Sequence, residues 1–427
     1  MHLLRPFIIA LLLCPLLLPA AVIGTNVPAL PLTPERVAAL PAWKTYLKNS
    51  ERQRQADQDF LHAEMKAHKL TAAIEPPKSA SPKKATPLDR TASWYATDEA
   101  QHVAGNVISF QTPAGGWAKH TDFAQHVRAP GELFAGDSNS HFIITNDFDR
   151  PADVHWNYVG TFDNDATTTE LRFLAKVISA AKTNNSALQN SFARGINYIL
   201  AAQFPNGGWP QVWPLQGGYH DAITFNDDAL LNILQLLRDV SLGQKDFSFA
   251  SPELRAKADA GWRRGLDCIL AAQVIVDGRR TSWGQQHDAI SLQPVSARNY
   301  EMPSLASSES ATLVLFMMQL PDPDEKTIAS VHAAAAWFEK TKIMGKSFQV
   351  VGKESRKLVD APEAGPIWSR YYEIGTDKPI FGDRDLTIHD DVNEISRERR
   401  KGYGWFKDSA KRVAQHYVKW AKLHPQK

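Results

Sequence analysis

Three stretches of this chain carry one pattern: an apolar helical run ending in Gln, a short turn, then Trp. They are VISFQTPAGGW (107–117), YILAAQFPNGGW (198–209) and CILAAQVIVDGRRTSW (268–283). Gln111 and Trp117, like Gln203 and Trp209, stand six residues apart with Pro and Gly-Gly between them, and the third copy has a longer turn. Copies so widely separated do not form one local motif. They predict a helical array in which each unit buries its apolar face on its neighbours. They also make the loops that follow each turn equivalent in space.

Around these copies the sequence predicts two kinds of helix. One kind ends in the Gln-turn-Trp pattern (about 95–111, 188–203 and 254–273). The other follows each turn after a long loop (about 166–182, 227–241 and 307–319), and a further helix is expected over 325–342. Phe192, Ile196, Ile199 and Leu200 show the helical period in the first kind, and Leu230, Ile233, Leu234 and Leu237 show it in the second. Strand signals are few. Three α/α pairs plus a tail predict a mainly α fold, an α/α toroid or incomplete barrel. Its long irregular loops are rich in Trp, Gly and charge, where function concentrates.

Ahead of this body, residues 1–24 read as a signal peptide. Arg5 precedes the short apolar run IIALLLCPLLLP, and Ala20-Ala21 or Val22-x-Gly24 offer cleavage sites. Leu13 stands where a lipoprotein signal around Cys14 would want a small residue. Residues 25–91 read as a charged helical segment (34–70) and a Pro/Ser/Lys-rich linker (71–91). The catalytic domain is then expected over 92–427. No second long apolar stretch follows, so a secreted or periplasmic soluble protein is expected, with no membrane partner after signal removal. A formal net charge of +2 argues against nucleic acid as a partner and requires any basic site to be local. Cys268, the one cysteine left, lies in the apolar run LDCILAA and reads as inert core.

If the repeats are equivalent, the starts of the second-kind helices share one rim. Those starts read FDNDATTTE (162–170) and YHDAITFNDDA (219–229), and the third is preceded by ARNYEMPSLASSES (297–310). Asp and Asn at helix starts cap free N–H groups, and Thr167 with Glu170 has capping-box spacing. One Asp per start suffices for capping. The surplus of Asp163, Asp165, Asp227 and Asp228 suggests oxygen ligands for a hard cation, Ca²⁺ above all. Asp147 and Asp149 in NDFDR lack the Gly and terminal Glu of an EF-hand, and no His/Cys pattern suggests zinc. Arg298, Arg370 and Arg384 read as ion-pair partners or as bidentate clamps for substrate carboxylates. Trp117, Trp209, Trp213 and Trp283 sit in Gly-rich loops as core plugs, Trp117 and Trp283 especially, or as stacking surfaces for sugar rings. Carboxylates, arginines and aromatics together point to an acidic polysaccharide in a groove.

The stretches QTPAGGWAKHTD, DNDATTTELRFLAKV, NGGWPQVWPLQGGYHDAITFNDDAL, WGQQHD, ARNYEMPSLASSES and RYYEIGTDKPIFGDRD, in this order from about Trp94 to Trp405, resemble polysaccharide lyase family 10 pectate lyases. The resemblance implies an (α/α)3 toroid with an open central groove and Ca²⁺-dependent β-elimination on polygalacturonate. It implies Arg298 as the base, Arg384 as the transition-state clamp, and Asp163 and Asp227 as acids of the Ca²⁺ and substrate site. Lys119, Trp209, Tyr300 and Arg370 complete the expected set as substrate-binding residues, on a monomer. The residues alone make Arg298 a carboxylate clamp, because arginine is protonated in water. A neighbouring Ca²⁺ and Arg384 are expected to lower its pKa toward a base role. Ala118, His120, Asp165 and Lys378 depart from the family pattern and bear on substrate preference. Rival readings are a lyase for another uronate polysaccharide, a non-catalytic Ca²⁺-dependent pectin-binding protein, and a terpene-cyclase-like toroid. The last lacks its Asp-x-Asp-Asp motif here.

Overall fold

A computed structural model describes residues 21–76, 86–123, 126–135, 147–151, 153–181, 185–352 and 355–426. Its helices are α1 (Pro41–Ala67), α2 (Asp98–Ser109), α3 (Thr168–Ala180), α4 (Ser186–Ala202), α5 (Ala229–Leu242), α6 (Pro252–Ala272), α7 (Ser307–Met317), α8 (Glu325–Thr341), α9 (Arg397–Gly402) and α10 (Ser409–Leu423). The seven helices expected in the body appear as α2 to α8, with no end displaced by more than three residues. The fold is the expected α-rich toroid. Helices α2, α4, α6 and α8 contact one another in sequence and form one row, against which α3, α5 and α7 pack as the more completely buried row. Helices α9 and α10 lie outside the sequence expectations, although Ala410, Val413 and Trp420 recur at helical spacing, and α10 closes the array against α7 and α8.

The repeated Gln is a latch between successive helices. Gln111 Nε2 donates to Gly115 O of its own turn (2.8 Å) and to Ser191 O of α4 (3.0 Å). Gln203 Nε2 donates in the same way to Gly207 O and to Gly261 O of α6, both at 2.9 Å. Gln273 Nε2 reaches Thr281 O (3.0 Å) and Ser330 O of α8 (3.1 Å). The repeated Trp then hooks back on the helix it follows. The indole N–H groups of Trp117, Trp209 and Trp283 donate to the carbonyls of Val107, Ile199 and Ile269 at 2.7, 2.8 and 2.7 Å. Each carbonyl lies four residues before the Gln, among those a helix end leaves without a partner. All three rings are fully buried. The glycines fit this geometry. Gly207 has φ +95° and lies against the Arg264 carbonyl, while a Cβ on Gly265 would come within 2.7 Å of the Trp209 ring.

Cys268 is buried among apolar neighbours, and burial pushes its thiol up to about 12, as an inert core residue requires. Among the described residues, no helix is long and apolar enough to cross a membrane. The chain also forms short strands: β1 (Val22–Thr25), the exposed hairpin β2 (Lys346–Val351) and β3 (Ser355–Asp360), and β4 (Phe381–Gly382) with β5 (Thr387–His389), which bracket Arg384.

The N-terminal segment is packed on the body. Trp43 and Tyr46 of α1 meet Phe204 with ring centroids 5.2 and 5.1 Å apart, and the Tyr46 hydroxyl donates to Ala202 O at 2.9 Å. Further along α1, Glu64 pairs with Arg128. Residues 1–20 of the expected signal and 77–85 of the expected linker lie outside the described residues.

The latch predicts a stability cost. Replacing Gln203 by Leu leaves the buried carbonyl of Gly207 without its donor, takes the second donor from Gly261 of α6, and lowers stability by about 1–3 kcal/mol. Urea denaturation of the purified variant checks this, and an unchanged midpoint counts against the latch.

Candidate active site

The Trp of each copy also places the rim. Its carbonyl accepts from Thr161 N (Trp117, 3.0 Å), Thr224 N (Trp209, 3.1 Å) and Ala306 N (Trp283, 2.7 Å). Two residues beyond each donor stand Asp163, Asn226 and Ser308, so these three positions are equivalent, and Asn164 matches Asp227. In both acidic copies the chain then turns left-handed. Asn164 and Asp165 have φ 50° and 58°, and Asp227 and Asp228 have φ 49° and 58°. Asn and Asp tolerate this conformation better than other side chains with a Cβ. Part of the surplus of Asp and Asn is therefore a backbone requirement.

The expected capping box is corrected by the structure. Thr167, at φ +65°, makes no cap. Its hydroxyl accepts from Trp117 N (3.1 Å) and donates to Thr161 O (2.8 Å), tying the rim to the turn.

Beneath the rim runs a second periodic feature that sequence reasoning missed. Two residues after Trp117, Trp209, Trp283 and Trp368 stand Lys119, Gln211, Gln285 and Arg370, each a donor. Trp368 is a fourth copy of the hook, with its indole donating to Phe338 O at 2.9 Å. Lys119 Nζ lies 2.6 Å from Asp163 Oδ2, and Gln211 Nε2 donates to Asp163 Oδ1 at 3.0 Å. Gln285 Nε2 donates to Asn226 Oδ1 (2.6 Å) and to Glu301 Oε1 (3.2 Å). Arg370 reaches Glu309 at 2.7 Å and Asn226 at 3.0 Å. The signal was present as Trp-x-donor. It was hidden because the donor changes identity and the fourth copy lacks the Gln.

Opposite the acids stand the arginines. Arg298, about a third exposed, is held in a fork by Glu301 through Nε (2.8 Å) and Nη2 (2.5 Å). The Tyr403 hydroxyl donates to Glu301 at 2.6 Å. Burial works to raise the Glu301 carboxyl, but Arg298 and Tyr403 outweigh it and hold it at about 2. For Arg298, burial works downward and is outweighed by Glu301, so its pKa lies above the ordinary arginine value. The expected lowering by neighbouring cations is therefore not found in the free protein, because the nearest charge is an anion. Arg384 is about a third exposed and bonds Glu398 at 3.0 and 3.2 Å. The guanidinium carbons of Arg298, Arg384 and Arg399 lie 5.2, 5.5 and 4.3 Å from the centre of the Tyr300 ring.

Of the residues singled out in the sequence, Asp163, Asp227, Lys119, Arg298, Tyr300, Arg370 and Arg384 fall in this one region, and Trp209 does not. The Trp209 ring is sealed in the core with its N–H spent on Ile199, so it has no face for a sugar. Trp213 is likewise buried. Arg370 is also buried, in the floor of the site, where its Nη2 bonds Glu309 and Asn226. Tyr300 is buried and serves as the spacer between guanidiniums. Asp149, set aside in the sequence for want of an EF-hand, also has a place here. This carboxylate accepts from the Tyr158 and Tyr219 hydroxyls at 2.6 Å and faces His220 Nε2 at 3.1 Å. Burial would raise it, but His220 and the two hydroxyls hold it well below the usual carboxylate range.

The two rim aspartates differ in state. For Asp163, burial is outweighed by Lys119, with Arg298 adding, and its pKa is lowered. Asp227 is exposed along its edge, yet the enclosing walls and the charge of Asp163 push its carboxyl up to about 6. Among the described residues, no group of three or more His, Cys, Asp or Glu is arranged to hold a metal ion. The two aspartates do fit a hard cation in chemistry, since Asp227 is an acid short of positive charge. They supply only part of the six to eight oxygens Ca²⁺ takes.

Residues 111–414, well over half the chain, match the family described as pectic acid lyase (Pec_lyase). Among solved structures, the chain is similar to a mutant family 10 polysaccharide lyase from Cellvibrio cellulosa in complex with trigalacturonic acid. That match has 28% identity and a TM-score of 0.64, covering 80% of this chain and 98% of the other. It is similar also to the family 10 polysaccharide lyase from Cellvibrio cellulosa, at 28% identity and a TM-score of 0.63, covering 79% and 95%. No curated protein sequence matches. The chain is a polysaccharide lyase. Within that class, the chain belongs to the pectic acid lyase family.

The Asp163–Asp227 coupling is testable without substrate. Carboxyl-carbon NMR of aspartate-labelled protein should show Asp227 titrating near 6. In an Asp163→Asn variant the like charge is gone, and the Asp227 midpoint moves down toward the ordinary value of about 3.9. A midpoint that does not respond to Asp163 overturns the coupling.

Proposed function

We propose that this protein is a secreted or periplasmic pectate lyase that cleaves polygalacturonate by Ca²⁺-dependent β-elimination, acts as a monomer, and carries its catalytic domain in residues 92–427. The observation that supports this best is the opposition of the Asp163–Asp227 pair to the Arg298–Glu301 fork across the rim. A uronate chain has a carboxylate on every ring, so one strand can meet both walls. Asp163 and Asp227 would hold the ion together with substrate carboxylate and water. Ca²⁺ bound there supplies positive charge that acidifies the proton at C5, beside the carboxylate.

Arg384, part-exposed and tethered by Glu398, is placed to grip a neighbouring carboxylate. Lys119 is bound to Asp163 and lies 3.4 Å from the centre of the Tyr158 ring. It sets the charge of Asp163 and offers a cation beside it. Arg298 is the group that receives the C5 proton. The electron pair left at C5 forms the C4=C5 double bond. The C4–O bond breaks, and its own electron pair leaves on the oxygen of the departing chain, which takes up a proton from water. Glu301 keeps Arg298 in place but also keeps it protonated in the free protein. The base form is therefore scarce at neutral pH, and the rate rises as the solution becomes alkaline.

The leader reading is compatible with this site. Cleavage at Ala20-Ala21 leaves β1 whole, whereas cleavage after Gly24 removes most of it.

Ultraviolet absorbance of the unsaturated product, followed on polygalacturonate with and without chelator, tests the activity. A rise with Ca²⁺ that chelator abolishes is expected, and no rise at alkaline pH overturns the assignment. Arg298→Lys should lower kcat by at least about 100-fold, in the range of general-base losses. Glu301→Gln removes the charge that raises the Arg298 pKa, so the alkaline limb of the pH–rate profile moves to lower pH. An unmoved limb would make Arg298 a carboxylate clamp and not the base.

A further inference from the structure

We propose that the N-terminal strap, residues 22–27, is a positioning element of the active site, and that Asn26 fixes the loop of Arg298 against the loop of Arg384. The family match begins at residue 111, so the strap lies outside it. Strand β1 adds an antiparallel third strand to the β4–β5 hairpin whose turn carries Arg384. Gly24 pairs with Ile388, and Thr25 with Thr387. Asn26 extends this pairing, donating its own N–H to Leu386 O at 2.7 Å. Its side chain turns the other way. Asn26 Nδ2 donates to Arg298 O at 3.2 Å and to Asn299 O at 2.9 Å. One residue thus holds the Arg384 hairpin through its main chain and the Arg298 loop through its amide.

Two features argue that this is not ordinary packing. Val22, Ile23 and Val27 are largely exposed, at 53%, 46% and 62%, so the strap is not held by an apolar anchor, while Asn26 is 3% exposed. The loop it grips has no regular structure of its own at residues 296–299. It closes a tight turn on itself, Glu301 N donating to Arg298 O at 2.8 Å and Ala297 N to Glu301 O at 2.9 Å, and further ties reach the strap and the Arg384 hairpin. Asn299 Nδ2 donates to Arg384 O at 3.1 Å, and the Ser296 hydroxyl donates to Val27 O. Two carbonyl oxygens facing one amide demand its donor end. Aspartate in this place would set a carboxylate against them, and alanine would remove the donor that joins the two carbonyls to the strap. Either change frees the two arginine loops to shift against one another, and small misplacements of reacting groups are costly.

This inference rests on Arg298 and Arg384 acting on the substrate, and the experiment separates the two ideas. In the full-length enzyme, Asn26→Ala should lower kcat on polygalacturonate at least about tenfold with KM changed less than about threefold, and Asn26→Ser, which keeps one donor, should recover part of the loss. Arg36→Ala, which breaks the ion pair with Asp288 at 2.7 Å in the segment that follows the strap, reports general loosening of the N-terminal region and should leave kcat within about twofold. In an Arg384→Lys background the Asn26→Ala loss should shrink severalfold, because a residue that acts through the arginine pair cannot be lost twice. If Asn26→Ala does not fold, Asn26→Ser carries the same comparison in both backgrounds. A kcat within twofold of wild type, or an equal loss in both backgrounds, overturns the proposal. Full activity of both Arg298→Lys and Arg384→Lys would instead overturn the reading of the site on which it rests.

Discussion

The interaction on which the rest of the structure depends is the double donation of a buried glutamine amide. A helix ends with carbonyls that have no partner, and an array of helices must also fix each member's place relative to the next. Gln111, Gln203 and Gln273 answer the second need, each binding its own turn and the following helix of the row. The tryptophan that follows answers the first through its indole N–H. Because that Trp also accepts from the rim through its main chain, the geometry of the helix row passes directly to the catalytic loops.

The donors two residues beyond the tryptophans turn this scaffold into a charge pattern. Buried charges are costly unless paired and hydrogen-bonded. Glu301 and Glu309 are both fully buried, yet each faces a guanidinium, and Gln285 together with Tyr403 satisfies more of Glu301. On the acidic side the supply stops short. Lys119 and Gln211 both serve Asp163, whereas among the described residues Asp227 accepts a hydrogen bond from the amide of Asn226 alone. Burial first, and then the charge of Asp163, raise the Asp227 carboxyl, and the few donors around it do little to offset them.

How much of this was legible depended on the kind of signal. The helices of the array were legible because their apolar period is long and sustained, and the rim because Gln and Trp recur at fixed spacing. Helix α9 is too short, and its neighbours too polar, to show a period, and the strands of two or three residues carry no pattern at all. The aspartates were read as caps or ligands because a sequence does not display backbone torsion. The left-handed turns at Asn164–Asp165 and Asp227–Asp228 supply a third reason for those residue types. Trp209 was misplaced for a related reason. A glycine-rich loop suggests exposure, but here the glycines exist so that the ring can be buried against Gly265. The expected sign of the Arg298 shift failed because Glu301, three residues on, folds back onto the guanidinium, a contact the string ARNYE permits but does not announce.

The asymmetry of the rim follows from where the repeat breaks. The first two copies keep the Phe-Asx-Asx-Asp turn, as FDND and FNDD, and both present acids. The third enters α7 through Ser307 and Ser308 and delivers the Arg298 loop in place of an acidic turn. The fourth Trp-x-donor copy contributes Arg370 and leads into the hairpin of Arg384. A symmetric scaffold with acids on every turn would repel a polyanion, and one with arginines on every turn would grip each carboxylate equally and favour no single bond. Two copies of each sign give one wall that needs a cation to meet a carboxylate and one that does not. A uronate strand laid between them has one distinguishable position, where the acidic wall faces Arg298. The divergence of the copies, more than their likeness, gives the rim its two unlike walls.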